Sequence, residues 1–189
     1  MMMFLTQWLR LRQLGLAVAC GWLLADQFSK MWALKTLAAG PLVVVPRLFD
    51  LHLAFNRGVS FSLLADMPAA WLPWVLTGFA VLVSALLAHW LGQNKFWVFQ
   101  LGVGSIMAGA LGNSIDRLRF GVVIDFLDVH YQTVAQAGAQ AGAQVGAQAS
   151  AGQYAWVFPT FNVADVAINI GVGLLLLDAL IQWRYSERT

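Results

Sequence analysis

Four stretches of this chain are apolar for the length a bilayer demands: residues 14–37, 71–90, 96–115 and 163–183. A spanning helix needs about 20 such residues in succession. Backbone groups surrounded by lipid must bond within their own segment, so helix is the reading for all four. Composition points the same way. The chain has 189 residues, of which 60% are apolar and only 11% charged. Its mean hydropathy is +0.69. A water-soluble domain carries about 25% charged residues, so too little polar surface is present here to cover one. Many of the nine Trp residues stand near the ends of the apolar runs, where membrane interfaces place them.

The expected class is therefore an all-α membrane protein with four transmembrane helices, forming a single membrane domain over residues 1–189. Residues 92–95 make a tight connection between the second and third spans. Segments 38–70 and 116–162 are longer and lie together on the opposite side. The first holds β-leaning patches at Leu42–Val45 and Phe49–Phe55, which predicts a small β-rich cap between helices 1 and 2. Short strands are also open to the second segment. Residues 135–153 include the repeat AQAG, AQAG, AQVG, AQAS. A stretch with no charge and no large side chain buries too little apolar area to offset its ordering entropy. It is expected to be a flexible external insertion.

Arg10, Arg12, Lys95, Arg184 and Arg188 fall on the side of the termini, and Lys35, Arg47, Arg57, Arg117 and Arg119 on the other. The counts tie, but the first set is spread over far fewer loop residues and flanks the first span. Both termini are therefore expected in the cytoplasm. Arg10 and Arg12 before Ala17-Val18-Ala19-Cys20 imitate an export signal. The apolar core before Cys20 is short and apolar sequence resumes after it, so an uncleaved helix is expected. The basic residues form no run, which disfavours nucleic acid. A single cysteine excludes an internal disulfide, and no His/Cys/Glu set has zinc spacing, so no metal site is expected.

Polar residues inside such a bundle are costly and mark function by default. Asp26 and Lys30 are four apart in the first span, on one helix face. They read equally as a self-compensating ion pair or as a tie at the edge of an active site. Gly109, Gly112, Asn113, Asp116 and Arg117 close the third span. A small-residue packing seam with interfacial charges is the alternative to function there. Asp125, inside Val122-Val123-Ile124-Asp125-Phe126, is a catalytic candidate or an exposed loop carboxylate, and Asp128 is the one expected to be solvated. Asn162, Asp165 and Asn169 share one face at the start of the fourth span. Asn162 and Asp165 also fit a helix capping box, which leaves Asn169 unexplained. Asp178 is expected to be structural. Ser60 and Ser62 with Lys30 leave a serine–lysine peptidase open but unsupported. Intramembrane Asp and Asn residues also suit a small ion-coupled transporter, although no inverted repeat is visible. A non-enzymatic assembly subunit remains a third possibility.

Five motifs in order narrow the choice. Asp26-Gln27-Phe28-Ser29-Lys30, Asn56-Arg57-Gly58 followed by Phe61, Gly109 through Arg117, Val123-Ile124-Asp125-Phe126, and Phe161-Asn162-Val163-Ala164-Asp165 together resemble the bacterial lipoprotein signal peptidase (signal peptidase II) family. The resemblance covers nearly the whole chain apart from the insertion. It implies an aspartic endopeptidase in the bacterial cytoplasmic (inner) membrane, with its active site near the extracytoplasmic face. The implied substrates are prolipoproteins, cut just before a diacylglyceryl-modified cysteine, with membrane lipid alongside. It also implies inhibition by the cyclic peptide globomycin, and no cofactor. Asp125 and Asp165 match the family's catalytic aspartates. Asp26, Lys30, Asn56, Arg57, Gly109, Asn113, Arg117 and Asn162 fall in its motifs as candidates to bind substrate or orient the pair.

Overall fold

The structure is a computed structural model that describes residues 2–57, 71–91, 96–131 and 156–187, with side chains from residue 9 onward. Helix α1 (Met2–Thr36) is followed by a short 3-10 turn (Leu37–Ala39) and strands β1 (Leu42–Val45) and β2 (Phe49–Asn56). Helices α2 (Leu72–Trp90) and α3 (Trp97–Phe120), strands β3 (Val123–Tyr131) and β4 (Trp156–Val157), and helix α4 (Val163–Ser186) complete the order.

Three of the four helices run longer than the apolar windows that locate them, α2 being the exception. α1 begins twelve residues before position 14, because nothing between Met2 and Leu14 breaks a helix and Leu, Arg and Gln favour one. α3 continues past 115 to Phe120 and stops at Gly121. There a φ of 72° lets the Gly121 N–H bond the carbonyl of Arg117. α2 has a proline in its first turn, where the missing N–H costs nothing. Among the described residues, α2, α3 and α4 are the three helices long and apolar enough to cross a membrane. α1 is long enough, but Asp26, Gln27, Ser29 and Lys30 lower the hydropathy of its C-terminal half.

α3 is the centre of the bundle and packs against α1, α2 and α4. Of its apolar window 67% is buried, against 22% for α2 and α4. Small residues permit this. A Cβ on Gly104 would meet the Gly15 carbonyl oxygen of α1 at 2.3 Å, and one on Gly109 the Ala164 carbonyl oxygen of α4 at the same distance. Leu87, Leu91, Val103 and Met107 fill the α2–α3 contact. Phe28, Trp74, Phe79, Leu82, Leu176 and Leu180 point outward and stay exposed. Lipid is the solvent such a surface requires.

The four strands form one antiparallel sheet in the order β1-β2-β3-β4. The expected patches at 42–45 and 49–55 are its first two strands. Its other two come from the segment after α3, so the sheet is shared between both long connections. Ala33, Leu37 and Phe126, with Leu51, Leu53 and Val163 against them, pack this sheet onto the ends of α1 and α4. The connection at 92–95, the motif residues Gly58 and Phe61, Ser60 and Ser62, and the insertion at 135–153 lie outside the described residues.

Candidate active site

The site forms where β3 passes the start of α4. Asn162 caps that helix: its side-chain oxygen accepts from the Asp165 N–H at 3.0 Å, and Asp165 Oδ2 accepts from the Asn162 N–H at 3.1 Å. The capping box is real, but it uses only part of each side chain. Asn162 Nδ2 donates outward to Asp125 Oδ1 at 2.7 Å and to Asn113 Oδ1 at 3.1 Å. Asn113, on α3, donates its Nδ2 to Asp165 Oδ1 at 2.9 Å. Asn56, the last residue of β2, donates to Asp125 Oδ2 at 3.2 Å. Three asparagines thus draw two carboxylates from distant segments into one network.

The β2–β3 pairing brings Asp125 there. Its register sets Ala54 opposite Asp125 and Asn56 opposite Val123, with an irregularity between Leu51 and Ala54. Asp125 is only 2% exposed, so it is no loop carboxylate. Burial, and secondarily the negative charge of Asp165, push its carboxyl up to about 7 from 3.8, against the opposing hydrogen bonds from Asn56 and Asn162. The charge of Asp165 thus bears directly on whether Asp125 keeps its proton. One carboxyl that keeps its proton beside one that accepts a proton can act as acid and base together.

Behind the pair lies a buried ionic cluster. Lys30 is 2% exposed. It contacts Asp26 Oδ2 at 3.0 Å and Asp116 Oδ2 at 2.7 Å, and donates to Asn113 Oδ1 at 3.0 Å. The Asp26–Lys30 pair is thus tied to the site. Gly112 makes room for it, since a Cβ there would meet Asp26 Oδ2 at 2.5 Å.

Other candidates stand apart. Arg117 donates to the Asn113 carbonyl at 3.5 Å and interacts electrostatically with Asp165, Asp116 and Asp125. Gly109 serves the close α3–α4 contact rather than offering a polar group. Arg57 is exposed, just beyond β2. Asn169 is exposed and donates back to the Asp165 carbonyl within its own helix, so its shared spacing does not bring it to the pair. Asp178 is buried and accepts from Gln182. Asp128 is not solvated as expected: it is buried, its Oδ2 lying 3.2 Å from His130 Nδ1 and 3.4 Å from His52 Nδ1. Strand alternation turns it away from the side of Asp125, into the sheet. Nearby Asp50 is raised above the ordinary carboxylate range, chiefly by burial. No group of three or more His, Cys, Asp or Glu among the described residues could hold a metal ion. Spacing alone underplayed two residues, Asp116 and Gln27. Asp116 shares a buried face of α3 with Gly109, Gly112 and Asn113, and that stripe was the available signal.

Comparison with known proteins gives concordant matches. Residues 18–181 match the model of the family described as signal peptidase (SPase) II. The lipoprotein signal peptidase of Ralstonia nicotianae is 41% identical over 171 residues, covering 88% of this chain and 83% of the relative. That of Shewanella piezotolerans is 37% identical over 168 residues, covering 88% and 85%. That of Caulobacter vibrioides is 37% identical over 168 residues, covering 87% and 85%. A solved structure described as a bacterial membrane enzyme shares the fold, with a TM-score of 0.66 at 22% identity, covering 88% of this chain and 92% of that one.

Proposed function

Because the chain belongs to the signal peptidase II family, a family of membrane peptidases that remove signal peptides from prolipoproteins, we propose that it does so as an aspartic endopeptidase using Asp125 and Asp165. The observation that carries this reading is the convergence of the two carboxylates on one asparagine network, with the charge of Asp165 felt by a buried Asp125. Membership sets aside the transporter and assembly-subunit alternatives.

In the proposed mechanism Asp165 is the base and Asp125 the acid. Asp165 stands at a helix N-terminus, which favours a negative charge. It takes a proton from water as the oxygen attacks the scissile carbonyl carbon. Asp125 gives its proton to the carbonyl oxygen. The tetrahedral intermediate then collapses: its hydroxyl proton returns to Asp125, and Asp165 protonates the leaving nitrogen as the C–N bond breaks. No metal or organic cofactor enters these steps. Asn56, Asn113 and Asn162 hold the pair. Asp26, Lys30 and Gly109 support it from behind, and Arg57 and Arg117 meet the substrate backbone. The bond cut is the one before a diacylglyceryl-modified cysteine, with the signal helix and acyl chains in the lipid-facing grooves between helices. Globomycin competes for that place.

In the same reading residues 1–189 are one domain of the bacterial inner membrane, and α1 is a fourth span despite its polar outer half. Both termini are cytoplasmic, and the sheet caps the extracytoplasmic end. The test is turnover of a diacylglyceryl-modified precursor by purified protein, with and without globomycin. Asp125→Asn and Asp165→Asn are each expected to insert normally and to lose cleavage by several orders of magnitude. Wild-type turnover by either variant would overturn the assignment.

A further inference from the structure

The ionic cluster behind the pair has a regular plan. Asp26 Oδ1 accepts the backbone N–H of Ala164 at 2.9 Å, and Ala164 immediately precedes Asp165. Asp116 Oδ2 accepts the backbone N–H of Ile124 at 3.3 Å, and Ile124 immediately precedes Asp125. The two carboxylates are joined twice. Lys30 Nζ meets Asp26 at 3.0 Å and Asp116 at 2.7 Å. Gln27 Nε2 donates to Asp26 Oδ2 at 3.1 Å and to Asp116 Oδ1 at 3.3 Å. All four carboxylate oxygens have partners. Lys30 spends its third N–H on Asn113 Oδ1 at 3.0 Å. An ammonium can only donate, so Asn113 must turn its oxygen to Lys30 and its NH2 to Asp165.

We propose that Asp116, through Lys30 and Gln27, is a positioning residue: one end of a buried strut, Asp116–Lys30/Gln27–Asp26, that fixes the backbone just before each aspartate of the pair and so sets the distance across which they act. This rests on Asp125 and Asp165 being the reacting groups.

A buried lysine between two carboxylates is weak evidence of stability by itself, since desolvation offsets the attraction. Replacing the cluster by apolar side chains would pack as well but hold neither N–H. What the charges supply is geometry. A misplacement of about 1 Å at reacting groups costs on the order of 100-fold in rate. The strut is also rigid at each end. It is anchored on α1 and α3, whose close approach is fixed by Gly15 against Gly104, whereas α4 follows a long connection after β3.

The test is Asp116→Asn in the full chain, assayed on a diacylglyceryl-modified precursor across pH. The amide oxygen can still accept from Ile124, but the charge that holds Lys30 is gone. The groups acting on Asp125 include Asp165, Asn56, Asn162, Lys30 and Arg117, so Gln27→Leu, which changes no charge, is assayed beside Asp116→Asn to separate geometry from charge. The expected result is a kcat lower by on the order of 100-fold with KM little changed. The basic limb of the kcat profile should move to lower pH as Asp165 repels Asp125 less. Wild-type kcat and an unmoved limb would overturn the strut. Should Asp116→Asn fail to fold, Gln27→Leu decides: it leaves all three charges and removes one of the two ties. A smaller shift in the same direction is expected, and an unmoved limb overturns the proposal. Retained turnover in Asp125→Asn would instead overturn the catalytic assignment beneath it.

Discussion

At the scale of single residues, Asp125 ties structure to chemistry most directly. Its carboxyl stands at about 7 because burial disfavours the charged form, with the Asp165 charge adding to it. With Asp125 as acid, kcat should fall as pH rises through about 7, and the initial rate on a lipidated precursor from pH 5 to 9 measures this. A rate still rising through pH 8 would remove Asp125 from the acid role. The same shift has a stability consequence of fixed sign. Between 3.8 and about 7 the folded chain holds a proton that the unfolded chain has released. Stability therefore declines as pH rises through that window. How residues of this kind read from sequence depended on their partners. Asp165 and Asn162 were visible as a cap and as motif members because their partners are local. Asn169 has the same spacing but bonds its own helix, a choice that spacing alone does not reveal. Asp128 was misjudged because its histidines are neighbours only after β2 and β3 pair.

Among the elements, α3 organises the rest. Its glycines allow backbones to approach, and Gly109 faces the Ala164 carbonyl one residue before Asp165. Gly109→Ala would force α3 and α4 apart, at a cost of about 1–3 kcal/mol, with turnover falling alongside. Gly173→Ala on α4, where a Cβ meets nothing within 4 Å, is the matched control. It should leave the melting temperature in detergent unchanged or slightly higher. Equal melting temperatures for both variants would contradict the close-approach account. The helices were legible because apolar length is a local signal. Their extra turns at Met2–Gln13 and Asp116–Phe120 were not, since apolar windows end before helices do. The first two strands were legible from β-branched and alternating residues, whereas the β2–β3 register that aims Asp125 at Asn162 is a long-range property.

For the molecule as a whole, the described helices present apolar side chains outward and gather the Asp26, Lys30, Asn113 and Asp116 cluster at one end. The proposed topology places that end outside the cytoplasmic membrane. In a Cys20→Ser background, an impermeant thiol reagent should label Val44→Cys on exposed β1 in intact spheroplasts. Arg184→Cys should react only after lysis. The opposite pattern would invert the bundle. Five motifs in order carried the family from sequence alone, yet the strut linking four of them could not be read there. Apart from Asp26–Gln27, Asp26–Lys30 and Asp116–Ile124, its contacts join elements far apart in the chain, and of these three only the Asp26–Lys30 pair was announced, by its four-residue spacing.

The central claim is that two aspartates share one proton, resting on Asp125. Infrared spectroscopy of the protonated carboxyl band, followed across pH, measures it most directly. Wild-type protein should show a band that disappears with a midpoint near pH 7. The band should be absent from Asp125→Asn and persist in Asp165→Asn with a lower midpoint, because the repelling charge is gone. A titrating band that survives in Asp125→Asn and vanishes in Asp165→Asn would contradict the account.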